Sequence, residues 1–178
     1  MGRSEEPSLS LAEWLVLSLV CEGTTHGFAI AALAGPDGGI GRAWRLPRPV
    51  VYRALGRLRD AGLIAETGVE HSVHGPARTL VEATTNGASA AERWLGRPVA
   101  HVRDVRSELL VKLALLDRAG RDPSGLLAAQ RRTLEPIVAA LRDARDRARG
   151  FDRTLAAWRY ETAVATVAFL DELLTTAG

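Results

Sequence analysis

The sequence predicts a mainly α-helical chain in two parts: three helices and a β-hairpin over residues 1–98, then an all-helical remainder over 99–178. Three observations predict it. Apolar residues recur at helical spacing through most of the chain, two short runs of strand-like composition flank a single Gly-Pro pair, and strand signals stop at Gly96-Arg97-Pro98. With 47% hydrophobic and 25% charged residues, the chain has the material for a core and is not intrinsically disordered.

Ser10, with Glu13 three residues on, has the pattern of a capping box and opens a helix from Leu11 to about Glu22, ahead of Gly23. That helix is apolar nearly all round, which marks it as buried or shared with a partner. Thr24 or Thr25 opens a second helix through Phe28, Ile30 and Leu33, closing at Gly35-Pro36. Gly38, Gly39 and Gly41 mark a loop; they lack both a preceding strand and the spacing of a dinucleotide fingerprint. Pro47 and Pro49 bracket the start of a third helix, about Arg48 to Ala61, which Gly62 stops. At about 100° per residue, Val51, Ala54, Leu55 and Leu58 face inward and Arg53 and Arg57 outward. Gly56 lies near that arginine pair, and Arg48, Tyr52 and Arg59 occupy the flank.

Leu63 to Val69 and Arg78 to Ala83 read as hairpin strands, with Gly75-Pro76 in the turn. Thr84 or Thr85 then caps a helix carrying Ala91, Trp94 and Leu95. Beyond Pro98 come three helices, about Val102 to Ala119, Ser124 to Arg149 and Asp152 to Thr175, with Pro136 expected to kink the second or end it early. A helix of about 24 residues is about 36 Å long. Arms of that length, joined by short loops, carry more apolar face than the first domain can cover, so they ask for another chain. Val102, Val105, Leu109 and Leu113, with Leu155, Trp158, Phe169 and Leu173, are the candidate dimer interface.

The net charge is only +2, and residues 1–100 balance at ten basic and ten acidic. Placement carries the information. Six arginines (Arg42, Arg45, Arg48, Arg53, Arg57 and Arg59) fall between Ile40 and Arg59 with no acid among them, and such a stripe attracts phosphate even on a near-neutral molecule. Helix, helix, arginine-flanked helix and hairpin is the order of a winged helix-turn-helix. A helix about 10–12 Å across fits the major groove of B-DNA. Arg53 and Arg57 are therefore candidates for bases or phosphates, and Arg45, Arg48 and the Tyr52 hydroxyl for backbone phosphates. Gly56 would let the backbone approach closely, and His74 and Arg78 would contact from the wing.

Other classes are disfavoured by what is missing. No Ser-His-Asp set, paired carboxylates or phosphate loop is present, so neither an enzyme nor a cofactor is expected. A single cysteine, Cys21, excludes a disulfide framework and reads as an inert small hydrophobe. His71 and His74 lack companion ligands, so no metal is expected. His26 reads as a local cap or packing residue, and Lys112, four residues after Glu108, as half of a surface pair. No apolar run is long enough for a membrane span, and Glu5 and Glu6 break the order of a signal peptide, so a cytoplasmic protein is expected. A winged-helix module that binds protein and a ligand-binding helical protein are the alternatives to DNA binding.

Three segments also resemble a known family. Thr25-His26-Gly27-Phe28-Ala29-Ile30 is similar to the second-helix motif of PadR-type transcriptional regulators. The stretch from Val51-Tyr52-Arg53-Ala54-Leu55 through Gly62-Leu63-Ile64 resembles that family's recognition helix, and His74 to Leu80, with Thr84 and Gly87, its wing and following helix. The resemblance covers about residues 9–95. The sequence departs from the pattern at the wing, where only Arg78 and two histidines supply basic character, and Leu80 and Val81 stand where aromatic residues are common. The resemblance implies a homodimeric regulator, usually a repressor, joined through its C-terminal helices and responding to a small hydrophobic or aromatic effector.

Overall fold

The computed structural model describes residues 7–71 and 76–176. Two compact units divide the chain, Met1–Leu95 and Gly96–Gly178. The N-terminal acids, His74 and Gly75 lie outside the described residues.

In the first unit, helix α1 (Leu11–Val20) begins at the expected capping box. The Ser10 hydroxyl accepts from the Glu13 N–H at 3.4 Å, and the Glu13 carboxylate accepts from the Ser10 N–H at 2.7 Å. Every residue from Glu13 to Val20 is buried, as an all-round apolar helix requires. Helix α2 (Gly27–Leu33) starts later than Thr24 or Thr25, because Thr25–His26 forms a two-residue strand, β1, and the His26 ring caps the helix by accepting from the Ala29 N–H at 3.0 Å. A 3-10 turn (Ile40–Arg42) leads to α3 (Arg48–Asp60), closed where Gly62 takes the positive φ of +67° that suits glycine.

Strands β2 (Ile64–Glu70) and β3 (Arg78–Ala83) form the antiparallel hairpin, with a bulge between Glu66 and Gly68. The sheet order is β1-β3-β2, with Thr25 opposite Val81 and His26 opposite Leu80. Helix α4 (Thr85–Gly96) returns to the core, where Trp94 stacks on Trp14 at 5.4 Å between ring centroids. The Thr84 hydroxyl ties the α4 entry down by accepting from the Gly87 N–H and donating to the Gly62 carbonyl.

Among its described residues the second unit consists of helices joined by short loops, with no strand. Helix α5 (Val102–Asp104) runs through a π-helical turn (Val105–Leu109) into α6 (Leu110–Arg118), followed by α7 (Ser124–Arg147) and α8 (Gly150–Thr176). Val99, Val105, Leu109, Leu116, Leu126, Leu127, Leu134 and Leu170 make its core. Helix α7 passes through Pro136 and is not ended there. The exposed proline gives up one backbone hydrogen bond on the solvent side, while Leu127 and Leu134 on the buried side hold the helix to the core.

Lys112 corrects the expectation of a surface pair. It is fully buried, with its ammonium donating to Glu108 Oε1 at 2.6 Å and to the Arg97 carbonyl at 2.8 Å. A buried ammonium demands such partners. Gln130, also buried, clasps Val99 through both its N–H and its carbonyl, at 2.7 and 2.9 Å. Among the described residues no helix is long and apolar enough to cross a membrane.

Candidate nucleic-acid interface

Helix α3 divides as its periodicity dictates. Val51, Ala54 and Leu58 are buried and Leu55 is partly so, while Arg53 and Arg57 are exposed. All six arginines between Ile40 and Arg59 are exposed. They are held differently, however. Arg42, Arg45 and Arg53 make no ion pair with any described residue. Arg59 Nη1 donates to Glu66 Oε1 of β2 at 2.6 Å, and that hydrogen bond raises the guanidinium's pKa further above its ordinary value. Arg57 keeps 67% of its side chain exposed, yet its Nε lies 3.1 Å from Oε1 of Glu13, whose side chain is only 4% exposed.

A groove of about 500 Å³ opens between α3 and the wing, lined by Phe28, Arg48, Tyr52, Gly56, Arg59 and Arg78 among others. Phe28 and Tyr52 are large aromatic residues left half open to water. The Arg48 guanidinium carbon sits 5.5 Å from the centroid of each ring, and that of Arg78 sits 4.9 Å from Phe28, all within cation–π range. Glu70 lies 3.7 Å from Arg78 and 3.4 Å from the His26 ring, whose other nitrogen caps α2. Gly27 makes room for this packing, since a Cβ there would stand 2.8 Å from the Tyr52 ring. No atom approaches within 4 Å of a Cβ built on Gly56, so that stretch of α3 is open to close approach.

The structure thus brings Arg48, Tyr52 and Arg78 to one groove, with Arg53 on the outward face of α3 and Arg45 exposed in the segment before it. His74 lies outside the described residues. Sequence reasoning missed two participants. Phe28 sits in a motif that was read, but no local pattern tells that its ring faces out. Glu13 was recognised as a cap, and its contact with Arg57 spans 44 positions of sequence.

The candidate dimer residues fall into three groups. Val105 and Leu109 are buried in the second unit's own core, and Val102, Leu113, Phe169 and Leu173 pack partly buried against it. Leu155 and Trp158 are exposed, and Phe151 extends their line at helical spacing. Val102, Val105, Leu110, Trp158 and Phe169 border a largely apolar groove of about 920 Å³, with Arg103, Arg106 and Glu161 also in its lining.

The first unit is a winged helix-turn-helix with a guanidinium-lined face, and the second an all-helical domain. A crystal structure of Bacillus subtilis PadR in complex with operator DNA is similar, at 18% identity and a TM-score of 0.49, covering 95% of this chain and 100% of that one. The same protein in complex with p-coumaric acid is similar at 17% identity and a TM-score of 0.41, covering 94% and 95%. A further PadR crystal structure from that organism gives 17% and 0.43, covering 98% of each. No protein-family model and no curated protein matches the sequence.

Proposed function

We propose that the chain is a sequence-specific DNA-binding transcriptional regulator, acting in the cytoplasm as a homodimer on a near-palindromic operator. Residues 1–98 read the DNA and residues 99–178 join the two copies. A small hydrophobic or aromatic effector relieves repression. The observation that carries this reading is the outward face of α3, where Arg53 and Arg57 stand exposed beside a groove edged by Arg48, Tyr52 and Arg78. Guanidinium groups suit both phosphate and the O6 and N7 edge of guanine, and a helix of this diameter enters a major groove. Two copies related by a two-fold axis would read half-sites about 34 Å apart, one helical turn. The dimer and effector parts rest on the sequence resemblance and on the exposed apolar stripe of α8.

Fluorescence anisotropy with a duplex from the chain's own upstream region tests the reading. Arg53→Ala combined with Arg57→Ala is expected to weaken binding, and each lost phosphate contact to reduce the slope of log K against log salt by about 0.9 in magnitude. Affinity unchanged in the double variant would discard this face as a DNA surface and favour an acidic protein partner.

A further inference from the structure

We infer that Glu13 is a positioning residue for DNA sequence reading, holding Arg57 so that its outer edge meets one base position; this rests on the DNA-binding reading above. Glu13 occupies the third position of α1 and completes the capping box with Ser10, accepting from the Ser10 N–H at 2.7 Å and from its hydroxyl at 2.9 Å through Oε2. The cap does not need a charge, because glutamine serves in this position as well as glutamate. Burying a carboxylate is nonetheless costly unless it is paired. The charge is answered by Arg57, whose Nε lies 3.1 Å from Oε1. One carboxylate therefore has two jobs: Oε2 closes the cap and Oε1 holds the arginine.

The consequence follows from guanidinium geometry. A free arginine on a helix surface samples many rotamers and meets any nearby phosphate. An arginine whose Nε is ion-paired with a group anchored in the core samples fewer rotamers before binding and presents its two Nη groups over a narrower range of directions. Such a restricted fork favours bidentate recognition of a base edge over diffuse contact with the backbone. Arg53, one turn earlier on the same face, has no ion pair among the described residues. The structure assigns the two arginines different tasks: Arg57 reads and Arg53 adheres.

The test uses the full chain and two duplexes, one selected by the wild-type protein from a randomised pool and one unrelated duplex of equal length. Glu13→Gln is expected to weaken binding to the selected duplex about tenfold. Binding to the unrelated duplex should hold or tighten, since a negative charge has gone. With Arg57→Ala already in place, Glu13→Gln should cause no further loss of affinity for the selected duplex, and selection repeated with Glu13→Gln should lose preference at one position per half-site. Glu13→Gln binding the selected duplex within twofold of wild type, or losing equally on both duplexes, overturns the inference. Should that variant not fold, Arg57→Lys at the exposed end of the pair tests the same point. It is expected to keep the salt slope and lose the preference, and retention of the preference would count against the inference. Failure of the wild type to enrich any sequence defeats the DNA-binding reading itself, an outcome distinct from a silent Glu13→Gln.

Discussion

Phe28 is the residue through which two arginines from different elements meet, Arg48 from the start of α3 and Arg78 from the turn end of β3. It carries no charge, so its contribution is positional. Phe28→Leu should lower DNA affinity a few-fold while leaving the salt dependence intact, whereas Arg48→Ala and Arg78→Ala should each reduce the slope by about 0.9. Anisotropy titrations at four salt concentrations separate the two behaviours, and a changed slope in Phe28→Leu would place that ring elsewhere in the energetics. Cys21 makes a second prediction at this scale. The residue is open to water, but atoms crowding its thiol, and secondarily the carboxylate of Glu92, push its pKa up from 9.0 to about 11. At pH 8 only about 0.1% is thiolate, against about 10% for an ordinary thiol, so alkylation by iodoacetamide should be slow in the folded chain and fast in urea. The linkage has a definite sign. A pKa raised in the folded state favours folding below pH 9.0 and loses that contribution as pH rises toward about 11, and Cys21→Ala should flatten that part of the profile. The outward direction of Arg53 was legible in the sequence because helical period alone sets it. The tie between Arg57 and Glu13 was not, because only the packing of α1 against α3 brings them together.

Elements that the chain encodes locally were read nearly to their ends. The Ser10–Glu13 box, the prolines flanking the first residue of α3 and Gly62 after its end each act within one turn of the boundary they set. What stayed hidden depends on distant partners. Strand β1 is two residues long and has no alternation to read; it exists because Thr25 and His26 lie beside Val81 and Leu80. Lys112 looked like an exposed pair because spacing to Glu108 says nothing about depth. Its burial predicts that Lys112→Ala costs about 3 kcal/mol, toward the low end for a broken buried pair because Glu108 keeps 32% of its side chain exposed. Urea unfolding should show a lower midpoint with an unchanged m-value, and a loss below 0.5 kcal/mol would mean that the ammonium reaches water. Gly87 tests a different junction. A Cβ there would stand 1.9 Å from the Leu63 carbonyl oxygen, which is backbone and cannot swing aside. Gly87→Ala is expected to cost about 3 kcal/mol by forcing α4 away from the start of β2. Gly56→Ala, with nothing within 4 Å, should be neutral or slightly stabilising in the absence of DNA.

The exposed stripe of α8 poses the question of how many chains make the functional molecule. Phe151 is 78% exposed and Trp158 71%, and they lie with Leu155 at helical spacings of four and three residues. The sequence showed most of this line. It missed Phe151 because the helix was expected to begin at Asp152, whereas it begins at Gly150, whose φ of +55° suits glycine. Three large apolar side chains in a row are costly to leave in water, at about 2 kcal/mol each for the large ones, and a second α8 laid against the first would cover both sets by symmetry. We therefore expect the full chain to sediment at about 38 kDa, twice its 19.1 kDa, at micromolar concentration. A chain truncated after Arg97 should sediment as a monomer. The sharper test keeps both units. Phe151→Glu with Trp158→Glu places charge in the apolar seam without touching Leu109, Leu134 or Leu170, which hold the helical unit together. Helical content by circular dichroism should be unchanged while the mass falls to that of one chain. If the DNA reading holds, affinity for a two-half-site duplex should then fall to that for a single half-site. A double-glutamate variant that still sediments as a dimer would move the interface off this stripe, and a wild type that is monomeric would remove the two-fold operator from the proposal while leaving the arginine face to be tested alone.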